Sequence, residues 1–524
     1  MQFLSFRMAA PCLHFGKKGT EMIAKTESFA LTGLNGFPVT VEVDVTTGLP
    51  AFDIVGLADT AVKEARNRVR SAIMNSGRSV PPRRITANLA PADVRKEGSV
   101  FDLPLAIGVL KATGQLVADI KGIVFMGELS LDGSLRRING VLPSVISAAQ
   151  NGYAKFIVPA DNAKEASFVA GAEIYAAHNL KEVIDHLSGL SPLRAVKNAD
   201  FSSYCKSRIY DADLSLVKGQ TVAKRALEVA VSGGHNILFV GAPGTGKTML
   251  AKCIPTIMPD MTFREALETT KIHSVAGNLD DGEGLVFTRP FRSPHHTATT
   301  VSITGGGSDL RPGEISLAHN GVLFLDEMPE YSRSALEALR QPLEDGVITV
   351  SRASGSVRYP ANFMLCGSMN PCPCGNFGSE DKPCTCTPAQ IAKYKAKISG
   401  PLLDRIDIKV EVDGVKYTEL TGDEKGETSE TVRIRVNRAR EIQANRFAKD
   451  KILTNSEMGE KHLAAYCPLS AECEKVLKSA YERLHLSPRA RSRIIKVART
   501  IADLAESPEI KPVHVMEAVS YRNS

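Results

Sequence analysis

One short stretch of the chain holds most of the residue types that phosphate chemistry needs. In "NILFVGAPGTGKTMLA" an apolar, strand-like run leads into Gly241-Ala242-Pro243-Gly244-Thr245-Gly246-Lys247-Thr248, and a helical pattern starts there. Glycines at this spacing let backbone N–H groups close around phosphate oxygens, and a helix N-terminus adds its dipole. Lys247 supplies a point charge for the β- and γ-phosphates of ATP, and Thr248 a hydroxyl for Mg²⁺. Lys247 and Asp326 are 79 residues apart; there "NGVLFLDEMPE" delivers Asp326 and Glu327 at the end of a second apolar run. Asp326 can hold Mg²⁺, and Glu327 can orient and polarise an attacking water. A third run, "NFMLCGSMN", ends in Asn370, placed to touch that water or the γ-phosphate. Arg405 in "SGPLLDRIDI" and Arg489 in "LSPRARSRIIKVART" are candidates to complete the site from a neighbouring subunit. Such an arginine is worth about 10³–10⁵ in rate, although spacing alone leaves a surface salt bridge open for each.

A second constellation follows Asn370 directly. Of ten cysteines, four fall at Cys372, Cys374, Cys384 and Cys386, and the other six are scattered singly. That distribution points to a reducing, cytoplasmic setting with one metal site, not to a secreted disulfide framework. Four thiolates are what a tetrahedral structural Zn²⁺ requires, and Gly375, Gly378 and Pro383 favour the turns that would gather them. The Cys-x-Cys spacing is tighter than the usual knuckle, so four reduced cysteines in a loop is the alternative reading.

These residues need strands to deliver them, and the pattern provides α/β units. Residues 22–190 alternate strand-like runs ("FPVTVEVDVT", "FIVPA", "EIYAA") with helical ones ("DTAVKEARNRVRSAIMNSG", "LPSVISAAQNG"). Residues 191–212 lack periodicity and read as a linker, residues 213–412 as a second α/β domain with inserts, and residues 413–524 as mainly helical. "TATTVSITGGGSDLRPGEIS" reads as a protruding Gly-rich loop and "GVITVSRASGSVRYP" as a hairpin presenting Arg352 and Arg358. Residues 1–21 are expected to be an unstructured extension or a mis-assigned start, with translation beginning at Met22.

"DLSLVKGQTVAKRALEVAVSGGHNILFVGAPGTGKTMLA", "FRSPHHTAT", "NPCPCG" and "ISGPLLDRIDI" resemble the magnesium-chelatase-like branch of the AAA+ ATPases, and the whole chain from Met22 resembles the YifB/ComM family. The resemblance implies a P-loop AAA+ core, a helical lid from residue 413, and an N-terminal domain like the proteolytic domain of Lon. It also implies that Asn370 is the sensor-1 residue, Arg405 the arginine finger and Arg489 the sensor-2 residue of the lid. The assembly implied is a homo-hexameric ring with ATP at its subunit interfaces.

Lon's serine–lysine dyad does not carry over. Its Lys-Asp-Gly-Pro-Ser-Ala-Gly lies over Lys96-Glu97-Gly98-Ser99-Val100-Phe101-Asp102, so the nucleophile position is Val100; the lysine position is Leu142. Ser99 with Lys96 would be a shifted dyad, against the plainer reading of a solvated turn. A serine without a held lysine is a poor nucleophile, so the domain is expected to be a scaffold and the protein not a protease.

A net charge of +6 leans slightly toward a polyanionic partner, and no apolar run is long enough to span a membrane. Arg352 and Arg358 would suit a DNA backbone bound without sequence preference, or equally a neighbour's ATP. With no tryptophan and 6% aromatic residues, electrostatics and not base stacking would have to hold DNA. The expectation is an ATP-driven motor with helicase or branch-migration activity in DNA uptake and recombination, as the resemblance implies. The alternatives are a magnesium-chelatase motor subunit that remodels a tetrapyrrole enzyme, and a non-proteolytic assembly factor. On the resemblance, a chelatase subunit would lack both the N-terminal domain and the cysteines.

Overall fold

The computed structural model describes residues 23–201, 210–279, 284–307, 310–352, 355–378, 382–414, 426–484 and 486–522. The extension expected at residues 1–21 lies outside them, and of Arg352 only the backbone is described.

Alternating apolar residues build the first sheet. Its strands are β1 (Ala24–Thr32), β2 (Asn35–Thr46), β3 (Ala51–Val55), β4 (Arg84–Ala90) and β5 (Ile123–Phe125). After a two-stranded ribbon of β6 (Glu128–Leu129) and β7 (Leu135–Arg136), β8 (Lys155–Pro159) and β9 (Glu173–Ala177) complete it. The order is β3-β4-β2-β1-β5-β8-β9, antiparallel around β2 and parallel elsewhere. Val39, Val41 and Val43 of β2 share one face and are fully buried, the period-2 signature of a one-sided strand. The helix α1 (Thr60–Asn75) packs on β3 and is started by Asp59, whose carboxylate accepts the Val62 N–H at 2.7 Å. The helix α2 (Asp102–Ala112) is buried from Asp102 to Leu110, and α3 (Val141–Gln150) follows.

The second sheet is parallel throughout. Its strands β10 (Ile237–Val240), β11 (Phe291–Arg292), β14 (Val322–Leu325), β17 (Met364–Met369) and β18 (Ile408–Glu411) run in the order β11-β14-β17-β10-β18. The run Val322–Leu325 is buried at every residue, as a strand covered on both faces requires. Two hairpins branch from this core: β12 (Gly305–Gly306) with β13 (Arg311–Pro312), and β15 (Val347–Arg352) with β16 (Gly355–Pro360).

The Gly-rich insert is not the loop expected. Thr300–Thr304 is helical, β12 and β13 pair, and Glu314–Leu317 is helical again. The glycines serve close backbone approach here: a Cβ on Gly305, whose φ is +91°, would stand 2.5 Å from the Arg311 carbonyl oxygen.

Helices dominate the described residues of 429–522, as the periodicity indicated, with long ones at Ser429–Arg446, Ala471–Leu484 and Pro488–Leu504. Ile494, Ala498 and Ile501 join Ile237, Phe239 and Ile408 in one apolar core, so the helices share their interior with the sheet. The N-terminal domain is also anchored to the second. Gly140 N–H donates to the Ser274 carbonyl at 3.1 Å, while Ser274 Oγ donates to buried Glu165 at 2.8 Å. Leu142, Met261, Ala266 and Leu285 lie in a single buried cluster across that junction.

Candidate functional site

Three neighbouring parallel strands, β14, β17 and β10, end side by side, and the chemistry-bearing residues leave from those ends. Ligands of open parallel sheets bind in this place, where the strand order reverses. The loop 241–246 leaves β10 and feeds the helix Lys247–Lys252. Gly244 and Gly246 have φ of +82° and +91°, with open space above both, so a phosphate can approach their backbone. The Lys247 amine folds over the loop and donates to the Gly241 and Ala242 carbonyls, both at 2.7 Å, and to Asn370 Oδ1 at 3.3 Å. Burial lowers the pKa of Lys247, and the charges of Asp326 and Glu327 oppose that shift.

Thr248 Oγ1 donates to Asp326 Oδ2 at 3.0 Å, so the two proposed Mg²⁺ ligands already face each other. The other Asp326 oxygen accepts from Ser368 Oγ at 2.5 Å. Glu327 turns off the strand with φ of +50°; its N–H donates to Ser368 Oγ at 3.1 Å and its side chain is exposed. A hard carboxylate and a hydroxyl beside a phosphate loop suit Mg²⁺ carried by a nucleotide. Sequence reading missed Ser368. Its signal lies in the register: Leu325 pairs with Gly367, which sets Asp326 against Ser368 on the next strand.

Arg405 is not at this cluster. It ion-pairs with Glu344 and donates to the Pro401 carbonyl at 2.8 Å, and no hydrogen bond or ion pair joins it to Lys247, Asp326, Glu327 or Asn370 among the described residues. Arg489 is exposed in the first turn of Pro488–Leu504. One turn on, Arg493 ion-pairs with buried Asp407 at the foot of β18, and farther along the helix Arg499 is itself buried and paired with Asp503. His235 and Thr500 extend the Asp407 contact, through a His235 Nδ1···Asp407 separation of 3.2 Å and a His235 Nε2···Thr500 separation of 2.8 Å. Burial opposes ionisation of Asp407, but Arg493, His235 and Arg522 outweigh it and hold the carboxyl below its usual range.

The hairpin β15–β16 forms as expected. Ile348, Val350, Val357 and Tyr359 are buried, whereas Thr349, Ser356 and Arg358 face outward.

The four cysteines converge. Cys372, Cys374 and Cys384 have Sγ···Sγ separations of 3.3–3.6 Å, and all four sulfurs lie within 4.8 Å of one another. Zn–S bonds of about 2.3 Å in a tetrahedron put sulfurs about 3.8 Å apart, so the donor set fits. The backbone N–H groups of Asn376 and Thr385 hold the Cys374 thiol down at about 5. The cluster also touches the phosphate loop: a Cβ on Gly375, with φ of +81°, would stand 2.6 Å from Pro243 Cδ.

At the shifted-dyad position the solvated turn expected is only half right. Ser99 is partly exposed and donates to Glu128, but Lys96 is fully enclosed and its amine has no hydrogen-bond partner. Leu142, at Lon's lysine position, is buried in the domain junction.

Comparison with known proteins agrees with this geometry. The family model described as "Magnesium chelatase, subunit ChlI" matches residues 213–420, "Subunit ChlI of Mg-chelatase" residues 41–162, and "Magnesium chelatase, subunit ChlI C-terminal" residues 426–522. The competence protein ComM of Haemophilus influenzae is 44% identical over 95% of this chain and 97% of its own length. An uncharacterized protein YifB of Escherichia coli is 44% identical over 94% and 96%. The chain belongs to the YifB/ComM family. A magnesium-chelatase 67 kDa subunit of Heliobacterium mobile is 27% identical over 30% of the chain and 28% of its own length. The model matching residues 41–162 bears the chelatase name too, so extent of match, not names, separates YifB/ComM proteins from chelatase subunits. Membership supports an AAA+-type motor using ATP and Mg²⁺, with a mixed α/β fold. Among the described residues no helix is long and apolar enough to cross a membrane.

Proposed function

We propose that the protein is an ATP-hydrolysing, ring-forming motor that acts on DNA. The observation that carries the ATPase reading is the meeting of Lys247, Thr248, Asp326 and Asn370 at three adjacent strand ends, within 2.7–3.3 Å of their partners. ATP with Mg²⁺ supplies the phosphoanhydride and its bound cation. Lys247 and the loop amides bind the phosphates, Thr248 and Asp326 hold the cation, and Glu327 orients the attacking water. Asn370, hydrogen-bonded to Lys247, senses the γ-phosphate. Arg405, removed from its own chain's site, serves the next subunit's ATP in a ring, taken here as a hexamer, and Arg489 reaches the nucleotide from the helical lid.

DNA enters this reading through a relative named as a competence protein and through outward-facing Arg358 on its hairpin, with Arg352 alongside in sequence. Helicase or branch-migration work during DNA uptake and recombination is the activity that fits. The N-terminal domain is read as a Lon-like fold without proteolytic chemistry, and the cysteines as a structural Zn²⁺ site that stiffens the loop after Asn370. ATP turnover measured with and without forked and four-way DNA tests the main claim. Stimulation that fades as salt rises is expected, because phosphate contacts release counterions; turnover indifferent to DNA overturns it. Metal analysis of untagged protein tests the zinc: about one equivalent per chain is expected, and less than about half, unchanged by Cys384→Ser with Cys386→Ser, removes the site.

A further inference from the structure

The chain's positive charge is concentrated in the first domain, outside the elements that carry the ATP site. Residues 60–86 contain seven cations (Lys63, Arg66, Arg68, Arg70, Arg78, Arg83 and Arg84) against one carboxylate, Glu64. Their net +6 equals that of all 524 residues. Self-repulsion of this kind destabilises a fold unless a partner neutralises it.

The fold arranges Lys63, Arg66, Arg70 and Arg84 on one surface. Val62, Ala65, Val69, Ala72 and Ile73 turn inward from α1, which leaves Lys63, Arg66, Asn67 and Arg70 on its exposed face. Spaced i, i+3, i+4 and i+7, they form a stripe about 10 Å long. Beside it, between α1 and the edge strand β3, lies an open cavity of about 690 Å³ lined by Phe52, Thr60, Lys63, Arg66, Asn67 and Arg84. Two acids also line it: Asp53, already ion-paired with Arg84 at 3.1 Å, and Glu64. Arg68 is committed to buried Asp102 at 2.6 Å. Lys63, Arg66, Arg70 and Arg83 have no hydrogen-bonded or ion-paired side-chain partner among the described residues.

We propose that this groove is a second nucleic-acid contact, gripping the phosphodiester backbone of a DNA strand through Lys63, Arg66, Arg70 and Arg84. Phosphates along one strand of a duplex recur about every 3.4 Å, so the stripe spans about three of them. The hydroxyls of Thr60 and Thr86 and the Asn67 amide add neutral donors that suit phosphate oxygens. No base-reading geometry is built in, so binding is indifferent to sequence. The choice of DNA over another polyanion rests on the function proposed above. The groove gives the motor a hold apart from the Arg358 hairpin, on a domain fixed to the ATPase core through Gly140 and Ser274.

The test uses the full chain, fluorescent single-stranded and duplex DNA, and a Lys63→Glu/Arg66→Glu/Arg70→Glu variant whose melting temperature shows that it folds. Three lost contacts should lower affinity about tenfold or more near 0.1 M salt and reduce the slope of log K against log salt by about 2–3. Arg66→Lys with Arg70→Lys should keep most of the affinity. If the unaltered chain does not bind DNA, the function proposed above fails. If it binds and the triple variant matches it in affinity and slope, this inference alone fails. Loss of binding to phosphatidylglycerol vesicles with DNA binding intact would also overturn it.

Discussion

Lys247 and Lys96 are both buried, and burial lowers the pKa of both. Lys247 is met by two carbonyls, an amide oxygen and two nearby carboxylates, all at strand ends open to a ligand. Lys96 has no hydrogen-bond partner and only the charge of Asp93 to oppose its burial, and Ser99, three residues on, gives its proton to Glu128. The first is a charge held ready for a phosphate. The second is an enclosed amine whose charged form costs free energy and accomplishes no chemistry seen here. A lysine near a serine therefore says little until its partners are known.

The largest effect should come from Lys247→Ala, which removes the phosphate charge and should take ATP turnover below detection. Lys96→Ala should leave turnover within about twofold, since nothing at Lys96 faces the nucleotide; loss of turnover there would break the contrast. Next, Arg405→Ala should lower turnover by about 10³–10⁵. Mixing it with Glu327→Gln subunits should restore activity, and failure of the two to complement would remove the role between subunits.

Asp407 sharpens the comparison from the other side, as a buried charge that is fully paired. Its folded pKa is depressed, so the stability it contributes is complete above the unfolded value of about 3.9 and is lost as pH falls below that. Arg493→Ala, which strands the carboxylate, should cost about 3–5 kcal/mol at pH 7 and flatten the acid limb of a urea-melting series. A steeper acid limb in the variant would contradict the assignment.

Lys96→Met should stabilise the N-terminal domain by on the order of 1–2 kcal/mol, because an apolar isostere has no charge to desolvate. Because the folded pKa of Lys96 is lowered, its penalty is present at neutral pH and eases as pH climbs toward the unfolded value of about 10.4. The gap between variant and unaltered protein should therefore shrink in alkaline melts. Smallest of all, Ser99→Ala should change stability by about 1 kcal/mol or less, the worth of one partly exposed hydrogen bond. An active-site serine probe that labels Ser99 would show that the hydroxyl is more than a turn residue.

The phosphate loop, Asp326, Glu327 and Asn370 were legible because a buried parallel strand is a continuous apolar run, and each run ends at the residue it delivers. The helical segment from residue 429 onward was legible from its 3.6-residue period. The Gly-rich insert misled because glycine marks flexible loops and close backbone contacts alike; Gly305 belongs to the second kind. The burial of Lys96 was hidden because no local pattern states what will cover a side chain.

Sequence alone determined which strand ends carry phosphate-binding types, and that four cysteines lie close enough to meet, since both follow from local spacing. Tertiary structure alone decided the partners. Register set Ser368 against Asp326, and Glu344, from a segment 61 residues distant in sequence, took Arg405. A turn brought Gly375 against Pro243, and the first domain set Lys63, Arg66 and Arg84 around one groove. Those contacts join residues far apart in the chain, and their geometry exists only once the sheets have formed.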